Sequence, residues 1–200
     1  MGKIKVFLVV LLILAAIVFG LRVFKPQTDI SPINDIAPTE SSIVTPTNDS
    51  LQQYRNPDLG FSLSHSKDTR VNPNLDNTVS FYQWGPTQKI ATELFDGFSV
   101  NISQGNLGAN KDLKSLAEAD LVQKKEQLSP DFKLITPISD TNGTISFKTE
   151  EMFGEVDYYY LPQDAGKFLL LSVMIRDPQN LGFANQVQTL IQSITMIKEE

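Results

Sequence analysis

Hydrophobic positions change their pattern twice along this chain. From Val6 to Leu21 (VFLVVLLILAAIVFGL) no side chain is charged or strongly polar, and Val23 and Phe24 continue the apolar character past Arg22. Wound as a helix, that run rises about 24 Å, slightly short of a hydrocarbon core of about 30 Å. The long side chains of Arg22 and Lys25 can snorkel across the difference. The pattern predicts a transmembrane signal anchor over residues 1–25, embedded from Val6 to Phe24. Residues 26–52 hold four prolines, many Ser, Thr and Asp, no basic residue and no hydrophobic period, which reads as a disordered or partly extended tether.

Residues 53–200 mix apolar and charged positions as folded domains do. Asn56-Pro57-Asp58-Leu59-Gly60 is a turn signal, with Pro fixing φ and Gly tolerating positive φ, and it leads into a first strand at Phe61-Ser62-Leu63-Ser64. Period-two alternation returns in Thr78–Trp84 and around Phe98, Val100 and Ile102, both strands by pattern and aromatic content. Over Asp112–Leu128 the period becomes helical: Leu113, Leu116, Ala117, Leu121 and Leu128 share one face, and Asp112 is the candidate N-cap. A second amphipathic helix follows Asp177-Pro178, carried by Phe183, Val187, Leu190, Ile191 and Ile194.

Between the helices lie Phe132–Ile138, Gly143–Glu150, Glu155–Leu161 and Lys167–Ile175, parted by short Gly-containing loops. Short loops make antiparallel neighbours. Phe168–Ile175 is apolar at both parities, as in a strand covered on both faces. The expected fold is α+β: an antiparallel sheet of about six to seven strands with two main helices packed on it, an α/β/α sandwich behind an N-terminal transmembrane helix.

Charge narrows the function. The formal net charge is −6, and from Gln53 onward thirteen Lys or Arg stand against nineteen Asp or Glu. An acidic domain without a basic run is a poor partner for nucleic acid. Cysteine is absent, which excludes disulfides, thiolate metal sites and a lipid-modified cysteine, so any anchor is the peptide itself. A cleaved secretory signal is the alternative to retention; the length of the apolar run, Phe19 inside the would-be cut site, and Arg22 and Lys25 directly after it favour a retained span. Lys3 and Lys5 before the span balance Arg22 and Lys25 after it, and the tether's composition points to an extracytoplasmic domain.

Candidate chemistry is sparse. The chain has one histidine, His65, flanked by serines at the end of an expected strand; it reads as a strand-end polar residue rather than a triad member or zinc ligand. Glu150, Glu151, Glu155 and Asp157 form the densest acidic group, but their spacing matches no calcium loop and fits a solvated hairpin tip. Tyr158, Tyr159 and Tyr160 place two rings on one face and one on the other, which suits a half-buried strand or, less simply, a contact surface. Gly105-Asn106-Leu107-Gly108 lacks the Lys-Ser/Thr of a phosphate cradle and reads as a loop before a helix. The Asn-x-Ser/Thr triplets at Asn48, Asn101 and Asn142 matter only in a eukaryotic secretory route. No catalytic, cofactor-binding or metal-binding residue is assigned.

The element order resembles the PsbP-like family, named for an extrinsic subunit of photosystem II, whose fold is shared with a small yeast protein that binds Ran. The resemblance is carried by Tyr54-Arg55-Asn56-Pro57-Asp58-Leu59-Gly60-Phe61, by Gly154–Ile175 (GEVDYYYLPQDAGKFLLLSVMI) and by Leu190-Ile191-Gln192-Ser193-Ile194. Ser66-Lys67-Asp68 stands where many members carry Pro-x-x-Trp. The resemblance implies a non-catalytic binding or assembly module, tethered to the membrane outside the cytoplasm, with a protein or small-ligand partner and no cofactor. Two other readings stay open: a membrane-bound hydrolase using a carboxylate pair, and a small-ligand carrier with an apolar pocket between the sheet and the Asp112–Leu128 helix.

Overall fold

The computed structural model describes residues 51–73, 77–90, 92–128, 130 and 132–197. The expected anchor, and the tether up to residue 50, lie outside them. No helix among the described residues is long and apolar enough to cross a membrane.

The described chain forms β1 (Leu51–Asn56), β2 (Phe61–Ser66), β3 (Arg70–Pro73), β4 (Thr78–Trp84), β5 (Gly97–Asn106), α1 (Leu113–Leu128), β6 (Lys133–Thr141), β7 (Thr144–Glu151), β8 (Gly154–Pro162), β9 (Lys167–Arg176), α2 (Phe183–Gln192) and β10 (Thr195–Met196). Seven strands make an antiparallel sheet in the order β3-β4-β5-β9-β8-β7-β6, and β1-β2-β10 form a small second sheet. The apolar strand expected at the centre is there: β9 is fourth of seven.

Both parities of β9 are used. Leu169, Leu171 and Val173 join Val79, Phe81, Phe98, Val100 and Ile102 in one core, closed by Phe183, Val187 and Leu190 of α2 and by Phe61 and Leu63 of β2. On the other face Phe168 joins Ile145, Phe147, Val156, Tyr158 and Tyr160 under Ala117 of α1, with Leu113, Leu116, Leu121 and Leu170 packed around them. Each helix packs on one face, α1 over the β6–β9 half, and the small sheet shares the opposite face with α2.

Side-chain caps set the helix ends. Asp112 Oδ1 accepts from the Ser115 backbone N–H at 2.8 Å and from its hydroxyl; these bonds hold the exposed carboxyl below its ordinary value. Asp177 does similar work before α2, accepting from the backbone N–H groups of Leu181, Gly182 and Phe183.

Three expectations need correction. The first strand is Leu51–Asn56 rather than the one at Phe61, so Leu51 and Gln52 belong to the fold and not to the tether. α2 ends at Gln192, and Ile194 reaches the same core from the following turn. There the Ser193 hydroxyl bonds Ser64 O and receives Ser64 N–H, which turns the chain into β10 beside β2. Strand β6 starts and ends later than 132–138; it is the exposed edge, with Pro137 and two register shifts against β7, features that discourage pairing with another chain.

Candidate functional site

Helix α1 covers only the β6–β9 half of its sheet face. On the same face of β3, β4 and β5 stand Asn72, Ser80, Tyr82, Trp84 and Ser99, brought side by side by the pairings Asn72↔Ser80 and Tyr82↔Ser99. These are the opposite parity to Val79, Phe81, Phe98 and Val100, which fill the α2 core. Together with Gln88, Lys89, Thr92 and Leu94 they line an open groove of about 340 Å³.

The aromatic pair at one end is fixed in place. The rings of Tyr82 and Trp84 lie 5.6 Å apart at 40°, and the Arg70 guanidinium sits 5.1 Å from the Trp84 ring centroid, a cation–π contact. The Ser80 hydroxyl donates to Asn101 Oδ1 at 2.6 Å.

The β4–β5 loop forms the other wall, and one amide organises it. Gln88 Oε1 accepts from the N–H groups of Phe95 and Asp96, and its Nε2 donates to the carbonyls of Lys89 and Glu93. Asp96 is fully buried and accepts from Thr87 N–H and Oγ1 at 2.9 and 2.7 Å. Its carboxylate occupies the space a side chain at residue 85 would need: a Cβ on Gly85 would lie 2.0 Å from Asp96 Oδ1. Among the described residues the lining is largely polar and aromatic, with Lys89 its only charged side chain.

The residues singled out from sequence lie elsewhere. His65 is buried in β2, its ring 5.8 Å from Phe81 and its Nδ1 bonded to Ser66 O at 2.8 Å. It is a satisfied core histidine. Lys148 ties Asp157 at 3.1 Å and Glu155 at 3.4 Å, Glu150 pairs with Lys133, and Glu151 accepts from Thr149 and Tyr158. Among the described residues no three His, Cys, Asp or Glu side chains gather as a metal site. Gly105 lies against the Phe168 ring, where a Cβ would meet Cζ at 2.3 Å; it and Asn106 are the last residues of β5 rather than loop, and only Leu107 and Gly108 lie in the connection to α1. Asn101 is a β5 strand residue, Asn142 sits in the β6–β7 turn, and Asn48 is outside the described residues.

The tyrosine run divides as its alternation requires: Tyr158 and Tyr160 lie under α1, and Tyr159 packs against the α2 core. Tyr158 donates to Glu151 Oε1 and Tyr160 to Asp120 Oδ2, each at 2.8 Å. Burial pushes both phenols far above their ordinary value of 10.0, reinforced by the Glu151 and Asp120 carboxylates. The folded state holds these protons more tightly than the unfolded state. Their contribution to stability is therefore complete below about pH 10 and lost as pH rises beyond it. Phenolate absorbance of these two rings should appear only together with unfolding, and the Tyr158→Phe/Tyr160→Phe variant should flatten the fall of the unfolding midpoint above about pH 10.

The groove was missed in the sequence, although a signal for it exists. β4 and β5 are inner strands, yet one parity of β4 is Thr, Ser, Tyr and Trp and one parity of β5 is Gly, Ser and Asn. An inner strand with one polar parity marks a sheet face that no helix covers. The space between α1 and the sheet, where a small-ligand carrier would need its pocket, is filled by Ala117, Leu116, Leu121, Phe147 and Tyr160.

No protein-family model and no curated protein matches this chain. Solved structures do. The Ran-binding protein Mog1p of Saccharomyces cerevisiae superposes with a TM-score of 0.51 at 6% identity, over 74% of this chain and 96% of Mog1p. The cyanobacterial PsbP protein of Synechocystis sp. PCC 6803 is similar with a TM-score of 0.48 at 14% identity, over 78% of this chain and 98% of its own. At 6% identity the likeness to Mog1p is one of fold alone, and the fold is the PsbP-like one that the sequence motifs resemble.

Proposed function

We propose that this chain is a membrane-tethered, extracytoplasmic binding or assembly module without catalytic activity, and that it takes its partner in the groove over β3, β4 and β5. One observation carries the reading: two inner strands present Ser80, Tyr82, Trp84 and Ser99 to solvent beside a loop held rigid by Gln88. Tyr and Trp offer contact area at low entropic cost, and their hydroxyl and indole N–H supply direction. Among the described residues the lining holds no carboxylate, and nothing there supplies the pair that a two-carboxylate hydrolase needs. Mog1p is a Ran-binding protein, and a protein segment is the partner this fold likeness supports. The groove's volume also lies within the roughly 300–1,000 Å³ of small-molecule sites, which supports a small polar ligand as the second reading.

A photo-crosslinking amino acid placed at Tyr82 of the full chain, activated in intact membranes, tests the first reading. The expected result is a discrete protein adduct that Ser99→Trp, by filling the groove, reduces at least about tenfold. Absence of an adduct, or an adduct indifferent to Ser99→Trp, rejects the groove as the binding surface. Quenching of Trp84 emission by a small molecule, without a protein adduct, establishes the second reading.

A further inference from the structure

We propose that the end of the large sheet nearest the point where the chain enters the fold docks on a lipid bilayer, through Ile90, Phe95 and Trp84, with Phe153 and Leu181 beside them. The strand register places these residues together. Trp84 pairs with Gly97 and Gly97 with Arg176. The Arg176 guanidinium donates to Phe153 O at 2.9 Å, and Asp177 holds Leu181 N–H. At the β3 edge of the same end, Leu51 pairs with Ser66, whose carbonyl accepts from Thr69 N–H, and the next residue, Arg70, lies over Trp84.

A single exposed apolar side chain on a soluble protein needs no explanation. Here three separate tips project them from one end: the β4–β5 loop, the β7–β8 turn and the β9–α2 loop. Ile90 is 81% exposed, Phe95 57% and Trp84 44%. The Gln88 amide ties the backbone on both sides of this loop segment and keeps it from collapsing onto the core. Separate apolar tips with polar backbone between them match a fluid surface better than they match one complementary protein face, and Trp beside Arg and Lys is the composition of a membrane–water interface.

Chain length gives the second argument, and it rests on the tethered reading above. Residues 26–50 span at most about 90 Å when fully extended, so a domain anchored before Pro26 stays within reach of the bilayer. Its local concentration there makes even a weak patch effective. The Trp84 end of the groove then lies beside the membrane surface.

Trp84 is the chain's only tryptophan, so its emission reports this end alone. The experiment incorporates the full chain into phosphatidylcholine vesicles whose acyl chains are either ordinary or brominated. Docking predicts that brominated chains remove roughly half or more of the Trp84 emission. It also predicts that Ile90→Asp/Phe95→Asp restores that emission while the chain still co-floats with the vesicles and unfolds at an unchanged temperature. Co-flotation with equal emission in both lipids overturns the docking and leaves the tether standing. A chain that does not co-float overturns both. Equal emission together with a protein adduct from a photo-crosslinker at Phe95 in intact membranes assigns the patch to a protein and overturns the lipid assignment.

Discussion

Replacing Gly97 with alanine is expected to lower stability by about 3 to 5 kcal/mol, seen as a fall on the order of 10 °C in the midpoint of thermal unfolding. Two costs combine. Gly97 has φ +130°, a region that L-residues rarely enter and that by itself costs roughly 1 to 3 kcal/mol. A Cβ there would also lie 2.1 Å from Gln83 O and 3.0 Å from Trp84 Cα. Both obstacles are backbone atoms of the adjoining inner strand, so neither can swing aside. Gly143 separates the two costs: its φ is +82°, but nothing lies within 4 Å of its Cβ position. Gly143→Ala should therefore lose only about 1 to 2 kcal/mol. Equal losses at the two sites would show that the contact with β4 is not as drawn. Gly97→Ala should also disturb the groove, because the displaced backbone carries Trp84.

The asymmetry between those glycines also explains what the sequence disclosed. What sets Gly97 apart from Gly143 is the approach of Gln83 across the sheet, and pairing of β4 with β5 is not written in either strand's period. Elements whose burial is repeated along the chain were legible. α1 showed its face through Leu113, Leu116, Ala117 and Leu121, α2 through Phe183, Val187 and Leu190, and β9 its central place through apolar residues at both parities. Elements defined by distant partners were not. β1, LQQYRN, buries little beyond Tyr54 and exists because β2 offers it an edge. β10 is two residues long and depends on the Ser193–Ser64 bonds. The groove was obscured for the same reason. Its loop is built by one glutamine bonding to residues up to eight positions away and by a carboxylate filling the space over Gly85, none of which follows a hydrophobic period. The aromatic motifs nevertheless led to the right fold, because they sit at core and turn positions that the fold itself demands.

Adjacent leucines in β9 provide the sharpest test of that central strand. Leu171 is fully buried in the α2 core, between Ile102 of β5 and Tyr159 of β8. Truncation to alanine there removes buried methyl groups and leaves a cavity whose walls, two paired strands and a helix, cannot close on it; the expected loss is about 3 to 5 kcal/mol in denaturant unfolding. Leu170 points to the other face, where Tyr160 pairs on one side but Ser103 on the other. It lies at the border between the half covered by α1 and the half that forms the groove, and it is only partly buried. Leu170→Ala should lose roughly half as much, about 2 kcal/mol, because less apolar area is given up and water can reach the vacated space. The two losses should add in the double variant only approximately, since the side chains share a backbone. A neutral Leu170→Ala would mean that α1 does not cover β9, and the groove would then extend over the centre of the sheet. A loss at Leu170 equal to that at Leu171 would mean instead that the α1 face is closed across β5 as well, leaving no open half for a partner to occupy.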